Sequence, residues 1–155
     1  YSLSMLKKIL IIFIIPILFY SCGYAPLYSN TNNQNINIEV LESKGDRDIN
    51  NFLLTNLKKY SGNQGKTFLI NIDTNYSILD NSKNLEGAIS SYQLIAVTKF
   101  GIKNGNLNKT ITIREDIIIK NLSDNLEKKN YEKSIKRNFG NTIASKLILQ
   151  LSSIQ

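Results

Sequence analysis

The 155-residue sequence has no histidine, no tryptophan and only one cysteine, Cys22. Without histidine, and with a single thiol, the chain cannot assemble a Cys–His pair, a Ser–His relay or a Cys/His zinc site. A single cysteine also excludes a disulfide within the chain. The sequence contains no Gly-rich loop of the kind that holds phosphate and no internal repeat. We therefore expect no catalytic residue of these kinds, no metal and no cofactor, which favours a binding protein over an enzyme.

The sequence around Cys22 is typical of an export signal. Lys7 and Lys8 precede an apolar run from Ile9 to Tyr20, and Ser21 then leads to Cys22. The run has 12 residues, whereas a helix that spans a membrane needs about 20. A charged start, a short apolar run and a small residue before the break are the features of a leader that is removed. The alternative is an uncleaved hydrophobic terminus with an incidental buried cysteine.

The boundary itself, Phe19-Tyr20-Ser21-Cys22, resembles a bacterial lipoprotein signal, although Phe19 stands where that family usually has leucine. The resemblance implies that residues 1–21, which include four residues upstream of Met5, are cleaved off. It also implies that Cys22 is the lipid attachment site and carries fatty acyl chains such as palmitate. Gly23, in place of the aspartate that retains such proteins in the inner membrane, implies the outer membrane.

The remaining residues, 22–155, are basic, with 17 basic and 12 acidic side chains. Basic surfaces attract phosphate, and an exported chain does not normally meet nucleic acid, which leaves anionic lipid, glycolipid or an acidic protein. Residues 22–35 read as a lipidated terminus and a polar tether. Within them Tyr24, Pro26, Leu27 and Tyr28 are candidate contacts for a partner, or pack on the chain's own core.

Residues 36–155 have the length and pattern of a single domain. Hydrophobic periodicity predicts, in order, a strand, a helix, three strands and a helix. The predicted ranges are 36–41, 47–60, 66–79, 88–102, 107–120 and 126–152. In the last helix Gly140 and Ala144, four residues apart, predict a close approach to a neighbour. Its basic residues favour a solvated face over a binding surface; they are Lys128, Lys129, Lys133, Lys136 and Arg137.

An Asn-Gly pair between the third and fourth strands predicts a hairpin with Asn104 and Gly105 at its turn. Counting outward from that turn places Lys99 opposite Thr110 and Arg114 opposite Ile95. One face of the hairpin is then apolar and carries the helices, with Leu94, Ala96, Thr98, Phe100, Ile111 and Ile113 on it. The other face is mixed and basic. Glu115 and Asp116 point to opposite faces, so they cannot act as a catalytic pair.

The opening Cys22-Gly23-Tyr24-Ala25-Pro26-Leu27-Tyr28, followed by this element order, resembles the lipopolysaccharide-assembly lipoprotein family LptE. The resemblance implies an α/β two-layer sandwich in which two helices pack on one face of a four-stranded mixed sheet, in the order β-α-β-β-β-α. It implies an anchored position on the periplasmic side of the outer membrane, a complex with the β-barrel LptD, and a role in carrying lipopolysaccharide (LPS) to the cell surface.

Four basic residues in and beside the predicted hairpin are candidates for binding LPS, which is rich in phosphate at its lipid A end. They are Lys99, Lys103, Lys109 and Arg114. Ordinary solvated strand residues remain the alternative. For the whole protein, the alternative is another outer-membrane binding lipoprotein, such as a secretion-pore pilot or a periplasmic scaffold. Hydrolysis by isolated carboxylates such as Asp73 or Asp80 ranks behind both.

Overall fold

The computed structural model describes residues 36–154 and shows the predicted element order. Within these residues no helix is both long and apolar enough to cross a membrane. The elements are β1 (Ile36–Gly45), α1 (Arg47–Leu57) with a 3₁₀ turn (Lys58–Tyr60), β2 (Lys66–Lys83), β3 (Ile89–Asn104), β4 (Leu107–Lys120) and α2 (Asn125–Ser152).

The strands form one mixed sheet in the order β1-β2-β3-β4. β1 runs parallel to β2, and the other two pairs are antiparallel. Both helices lie on the same face, so the predicted two-layer α/β sandwich is confirmed.

The turn from β1 into α1 is built on two residues. Gly45 has a φ of +93°, and a Cβ at this position would overlap the backbone carbonyl of Thr74 on β2. Asp46 follows, and its backbone N–H donates to the same Thr74 carbonyl at 2.9 Å. Its side chain caps α1 by accepting a hydrogen bond from the Ile49 N–H at 2.9 Å. The end of β1 and the start of α1 are therefore fixed at the level of Thr74.

The core lies between the sheet and the helices. Every residue predicted for the apolar face of the β3–β4 hairpin is buried there. Phe68, Ile70 and Ile72 come from β2 and pack with Leu53 of α1 and Ile143 of α2. The apolar stripe of α2, from Ile135 to Leu151, faces this layer as its spacing predicts.

The predicted hairpin register is wrong by two residues. Asn104 pairs with Leu107, so Gly105 and Asn106 form the turn, Lys99 lies opposite Thr112, and Val97 rather than Ile95 lies opposite Arg114. Gly105 has a φ of +52° and no described residue other than glycine has a positive φ. The turn is therefore of type II′, which needs positive φ only at its first central residue. It replaces the predicted type I′ turn, which needs positive φ at both central residues. A shift of two preserves the side-chain alternation, so the predicted faces are correct.

The helices approach each other closely at Gly140, as the small residues of α2 predict. A Cβ on Gly140 would lie 2.8 Å from the Cβ of Phe52 and 2.9 Å from the carbonyl oxygen of Ile49. Ala144, one turn further on, is 2% exposed. The absence of a side chain at position 140 thus sets the distance between α1 and α2.

The sheet extends well beyond β1 and α1. β1 ends and α1 begins beside Thr74, whereas β2 continues to Lys83. On the helix-bearing face of this extension only α2 is available as cover. Ile78 and Ile117 are accordingly 45% and 40% exposed, although they continue the buried alternation of their strands.

Candidate functional site

The sheet face that turns away from the helices carries three of the four candidate LPS-binding residues. Odd-numbered residues of β3 and even-numbered residues of β4 occupy this outer face, because their neighbours in each strand belong to the core. Lys99 and Lys103 of β3 and Arg114 of β4 therefore point to the same side of the sheet, and all three are exposed.

Lys99 lies at the centre of a row that crosses the sheet. Asp73 of β2 is its partner on one side and Thr112 of β4 on the other, and Lys44 of β1 is in turn the partner of Asp73. Arg114 is diagonal to Lys99, and such diagonal pairs lie about 7–8 Å apart. The row and its diagonal give the outer face a cluster of three cations, Lys44, Lys99 and Arg114, which we call the basic row.

Three carboxylates of the outer face, Glu42, Asp73 and Asp116, lie beside the three cations of the basic row. The Nε of Arg114 lies 3.5 Å from Oδ1 of Asp116, whose other oxygen accepts a hydrogen bond from Gln93 at 2.8 Å. Lys44 Nζ lies 2.9 Å from Oε1 of Glu42, and the hydrogen bond and charge of Glu42 raise the pKa of Lys44. Neither Lys99 nor Lys103 has an ion pair within residues 36–154, although Asp73 is the cross-strand neighbour of Lys99, so both amino groups are open to an anionic ligand.

Lys109 does not share the outer face. It pairs with Ile102, which is fully buried, so its side chain projects from the helix-bearing side beyond the core. The structure thus separates Lys109 from Lys99, Lys103 and Arg114. The predicted lipid site at Cys22 and the predicted partner contacts Tyr24, Pro26, Leu27 and Tyr28 lie outside the described residues.

Lys44 is the member of the basic row that sequence periodicity did not identify. The predicted first strand stops at Leu41, whereas β1 continues to Gly45 across a bulge between Val40 and Glu42. The bulge changes the alternation, and Lys44 pairs with Asp73 as a result. A one-residue irregularity of this kind leaves no periodic signal in the sequence.

The basic residues of α2 are largely occupied within the chain. Lys136 Nζ lies 2.8 Å from Oδ2 of Asp46 and 4.3 Å from the centre of the Tyr76 ring. Lys128 lies over the ring of Tyr92 and Arg137 over that of Phe52, at 4.4 and 5.2 Å. These contacts attach the helix to the sheet and to α1.

The described carboxylates are dispersed. Asp73 belongs to the outer face, whereas Asp80 pairs with Tyr92 on the opposite side. Glu115 accepts a hydrogen bond from Lys146 of α2, whereas its neighbour Asp116 accepts one from Gln93 on the outer face. The two carboxylates therefore lie on opposite faces, as their alternation predicts. Within residues 36–154 no group of three possible metal ligands is brought together.

Two grooves flank the sandwich. One, of about 460 Å³, lies between β1 and α1 and is lined by Ile38, Val40, Leu41 and Leu54 among others. The second, of about 650 Å³, lies between the end of β4 and the first half of α2, where Ile118, Ile119 and Tyr131 line it. Both are open and mainly apolar, so they resemble contact surfaces more than enclosed ligand sites.

The architecture is found in solved lipoproteins. Rare lipoprotein B from Shewanella oneidensis superimposes with a TM-score of 0.58 and 11% identity, over 76% of this chain and 98% of that one. The chain has the fold of rare lipoprotein B. Lipoprotein B from Nitrosomonas europaea superimposes with a TM-score of 0.55 and 12% identity, over 77% and 86% of the two chains. No protein-family model and no curated protein matches the sequence itself.

Proposed function

We propose that the protein is a lipid-anchored component of the outer membrane that forms a complex with an LptD-type β-barrel and helps to place LPS at the cell surface. It would act by binding rather than by catalysis. One coincidence carries the proposal: a lipoprotein-type leader that ends at Cys22, and the opening Gly-Tyr-Ala-Pro-Leu-Tyr that follows it, precede a domain with the fold of rare lipoprotein B.

The basic row supports a role in binding LPS. Phosphate groups are recognised by charge-assisted hydrogen bonds from lysine and arginine. Lys99 and Arg114 place two such donors side by side on an open surface, and neither is held in the core. An extended, shallow surface of this kind suits a large amphiphile whose phosphates are exposed.

We expect that Lys99→Glu combined with Arg114→Glu weakens binding of purified LPS about tenfold or more, because two cations become anions beside Asp73 and Asp116. Binding would be measured with the full chain in detergent, by titration at low salt and again at high salt. Lys109→Glu is the control, since it reverses one cation, as each of the two substitutions does, within the same hairpin but on the other face. Equal LPS binding by the double variant and the wild type would contradict a role for the basic row.

Partner identity needs a separate measurement. Tagged chain would be isolated from detergent-solubilised outer membrane and its stable companions identified. Recovery of a large β-barrel is expected. Recovery of a ring-forming secretion pore instead would favour a pilot lipoprotein, and no stable companion would contradict the proposed complex.

A further inference from the structure

β4 is an open edge of the sheet. It lies last in the strand order, and its 14-residue pairing with β3 runs without any shift from Leu107 to Lys120. The other edge strand, β1, is shorter and is interrupted by its bulge next to Leu41. Short length, bulges, prolines and charged side chains normally protect edge strands from pairing with other chains. β4 is long, and its charges are of both signs, so an oppositely charged strand can match them. β4 has no bulge and no proline, so its edge is available to a strand of complementary charge.

The two-residue turn determines which backbone groups face that edge. Residues that flank such a turn exchange both of their hydrogen bonds, and in an antiparallel pair the bonded positions then alternate. Because Leu107 flanks the turn, the odd-numbered residues of β4 bond to β3. The even-numbered residues from Asn108 to Lys120 direct their N–H and C=O groups outward, and each of these residues is exposed. Within residues 36–154 no strand pairs with them.

The charges along this edge are self-complementary. Arg114 and Asp116 are adjacent members of the outward-directed set. If a second β4 lies antiparallel to the first, one register places Arg114 of each copy opposite Asp116 of the other. A shift of two residues in either direction would place Arg114 opposite itself or Asp116 opposite itself. Opposite charges directly across a strand pair are favourable and like charges are not.

We propose that β4 pairs antiparallel with β4 of a second copy of this chain, with Arg114 of each copy opposite Asp116 of the other. The two sheets then form one continuous sheet of eight strands about a two-fold axis. This register also places Glu115 of one copy opposite Glu115 of the other, on the helix-bearing face. Lys146 of each copy forms an ion pair with the Glu115 carboxylate of the same copy, which offsets the repulsion between the two.

The apolar residues of β4 agree with this register. It places Ile117 of one copy opposite Ile113 of the other, on the helix-bearing face. Ile117 is 40% exposed, whereas Ile111 and Ile113 on the same face of β4 are each 5% exposed. On the outer face it places Ile118, which is 58% exposed, opposite Thr112. Pairing therefore covers the apolar side chains that the monomer leaves uncovered near its edge.

The helices can be accommodated in the same arrangement. α2 contacts Tyr92 on β3 and Glu115 on β4, and also Tyr76 on β2, so it lies above β3 and β4 or further from the edge. At least two strand spacings then separate the two copies of α2, about 9.6 Å. Packed helices lie about 8–10 Å apart, so the two copies of α2 do not overlap.

The test is the self-association of the full chain in detergent, followed by sedimentation over a concentration series. We expect a monomer–dimer equilibrium in the wild type. Arg114→Asp and Asp116→Arg each create two like-charge pairs across the axis and should weaken the dimer about tenfold or more. An equimolar mixture of these two variants restores opposite charges at both positions, so it should form a mixed dimer about as tight as the wild type.

Lys59→Asp is the control, because it reverses an exposed charge in the 3₁₀ turn beside β1, at the opposite edge of the sheet. It should leave the dimer unchanged. A wild type that stays monomeric at every concentration would overturn the proposal, as would single variants that associate like the wild type or a mixture that does not recover. The readout is mass, so it does not depend on whether the basic row binds LPS.

Discussion

At the scale of single residues, Lys136 is largely buried, although it belongs to a basic stretch of α2 that its sequence predicts to be solvated. It is 13% exposed and lies within 4.0 Å of carboxylate oxygens of Asp46, Glu132 and Asp48. Burial alone would lower the pKa of Lys136, but the hydrogen bond to Asp46 and the three carboxylate charges outweigh it, and the pKa is raised. Asp46 uses one oxygen to cap α1 and the other to hold Lys136. The start of α1 and the middle of α2 are thereby joined.

We expect Lys136→Met to lower the free energy of unfolding by about 2–3 kcal/mol at neutral pH, because it leaves partly buried carboxylates without their cation. A raised pKa stabilises the folded state below the unfolded value of 10.5 and loses that contribution as the pH rises above it. Burial and the charge of Glu132 also raise the pKa of Tyr76, which acts in the same direction.

The measurement is urea unfolding from pH 7 to pH 11. The wild type should lose stability above about pH 10, and the variant should lose less over the same interval. Lys129→Met, at an exposed position of the same helix, is the control and should change little at either pH. An equal alkaline loss in Lys136→Met and the wild type would contradict this account.

At the scale of elements, the contact between α1 and α2 depends on Gly140. In a helix interior, alanine is favoured over glycine by about 1 kcal/mol. Here the added methyl group would press on Phe52 and on the backbone of Ile49, and helix backbones move only together with the layers they pack on. The steric term should therefore outweigh the gain in helix propensity.

Gly140→Ala is expected to lower the free energy of unfolding by about 1–3 kcal/mol, as overpacked core substitutions do. Thermal or urea unfolding of the full chain in detergent would measure it. Ser134→Ala, on the exposed side of α2, gains propensity without a new contact and should be neutral or slightly stabilising. A stabilised Gly140→Ala would mean that the helices can separate at little cost.

Some features of the elements could be predicted from the sequence and others could not. Hydrophobic periodicity predicted the type and order of every helix and strand, and the apolar face of the hairpin. It could do so because the buried face of each element needs apolar residues at regular spacing. The hairpin register was not predictable, because the sequence allows two turns: Asn104-Gly105 with positive φ at both residues, or Gly105-Asn106 with positive φ at Gly105 alone. The place of Lys44 depended on a bulge, and that of Lys136 on Asp46, 90 residues earlier in the chain. Such long-range partners have no local signal.

At the scale of the whole molecule, the proposed function depends on where the domain is held. Each methylene of an acyl chain buried in a bilayer contributes about 0.8 kcal/mol, and stable anchoring takes more than one chain. A cysteine that carries several acyl chains would therefore retain the domain at the membrane without any spanning helix.

We expect Cys22→Ala to leave the melting temperature of the domain unchanged and to abolish its recovery in the outer-membrane fraction, because alanine offers no sulfur for lipid attachment. Fractionation of cells and metabolic labelling with a fatty acid would measure the two effects. Ser29→Ala, in the predicted tether, is the control and should be labelled and located like the wild type. An unchanged membrane fraction for Cys22→Ala would mean that the leader itself is the anchor.

The uneven length of the strands has a further consequence for motion. Up to Thr74 the sheet is covered by two helices and flanked by β1, whereas beyond it β2, β3 and β4 are covered by α2 alone. Cooperative units with fewer buried contacts open at lower free energy than the rest of a domain. We therefore expect the far end of the sheet, which includes half of the β4 edge, to open before the rest of the domain. The near end would stay folded while it does, so the domain can expose new surface at one end without global unfolding.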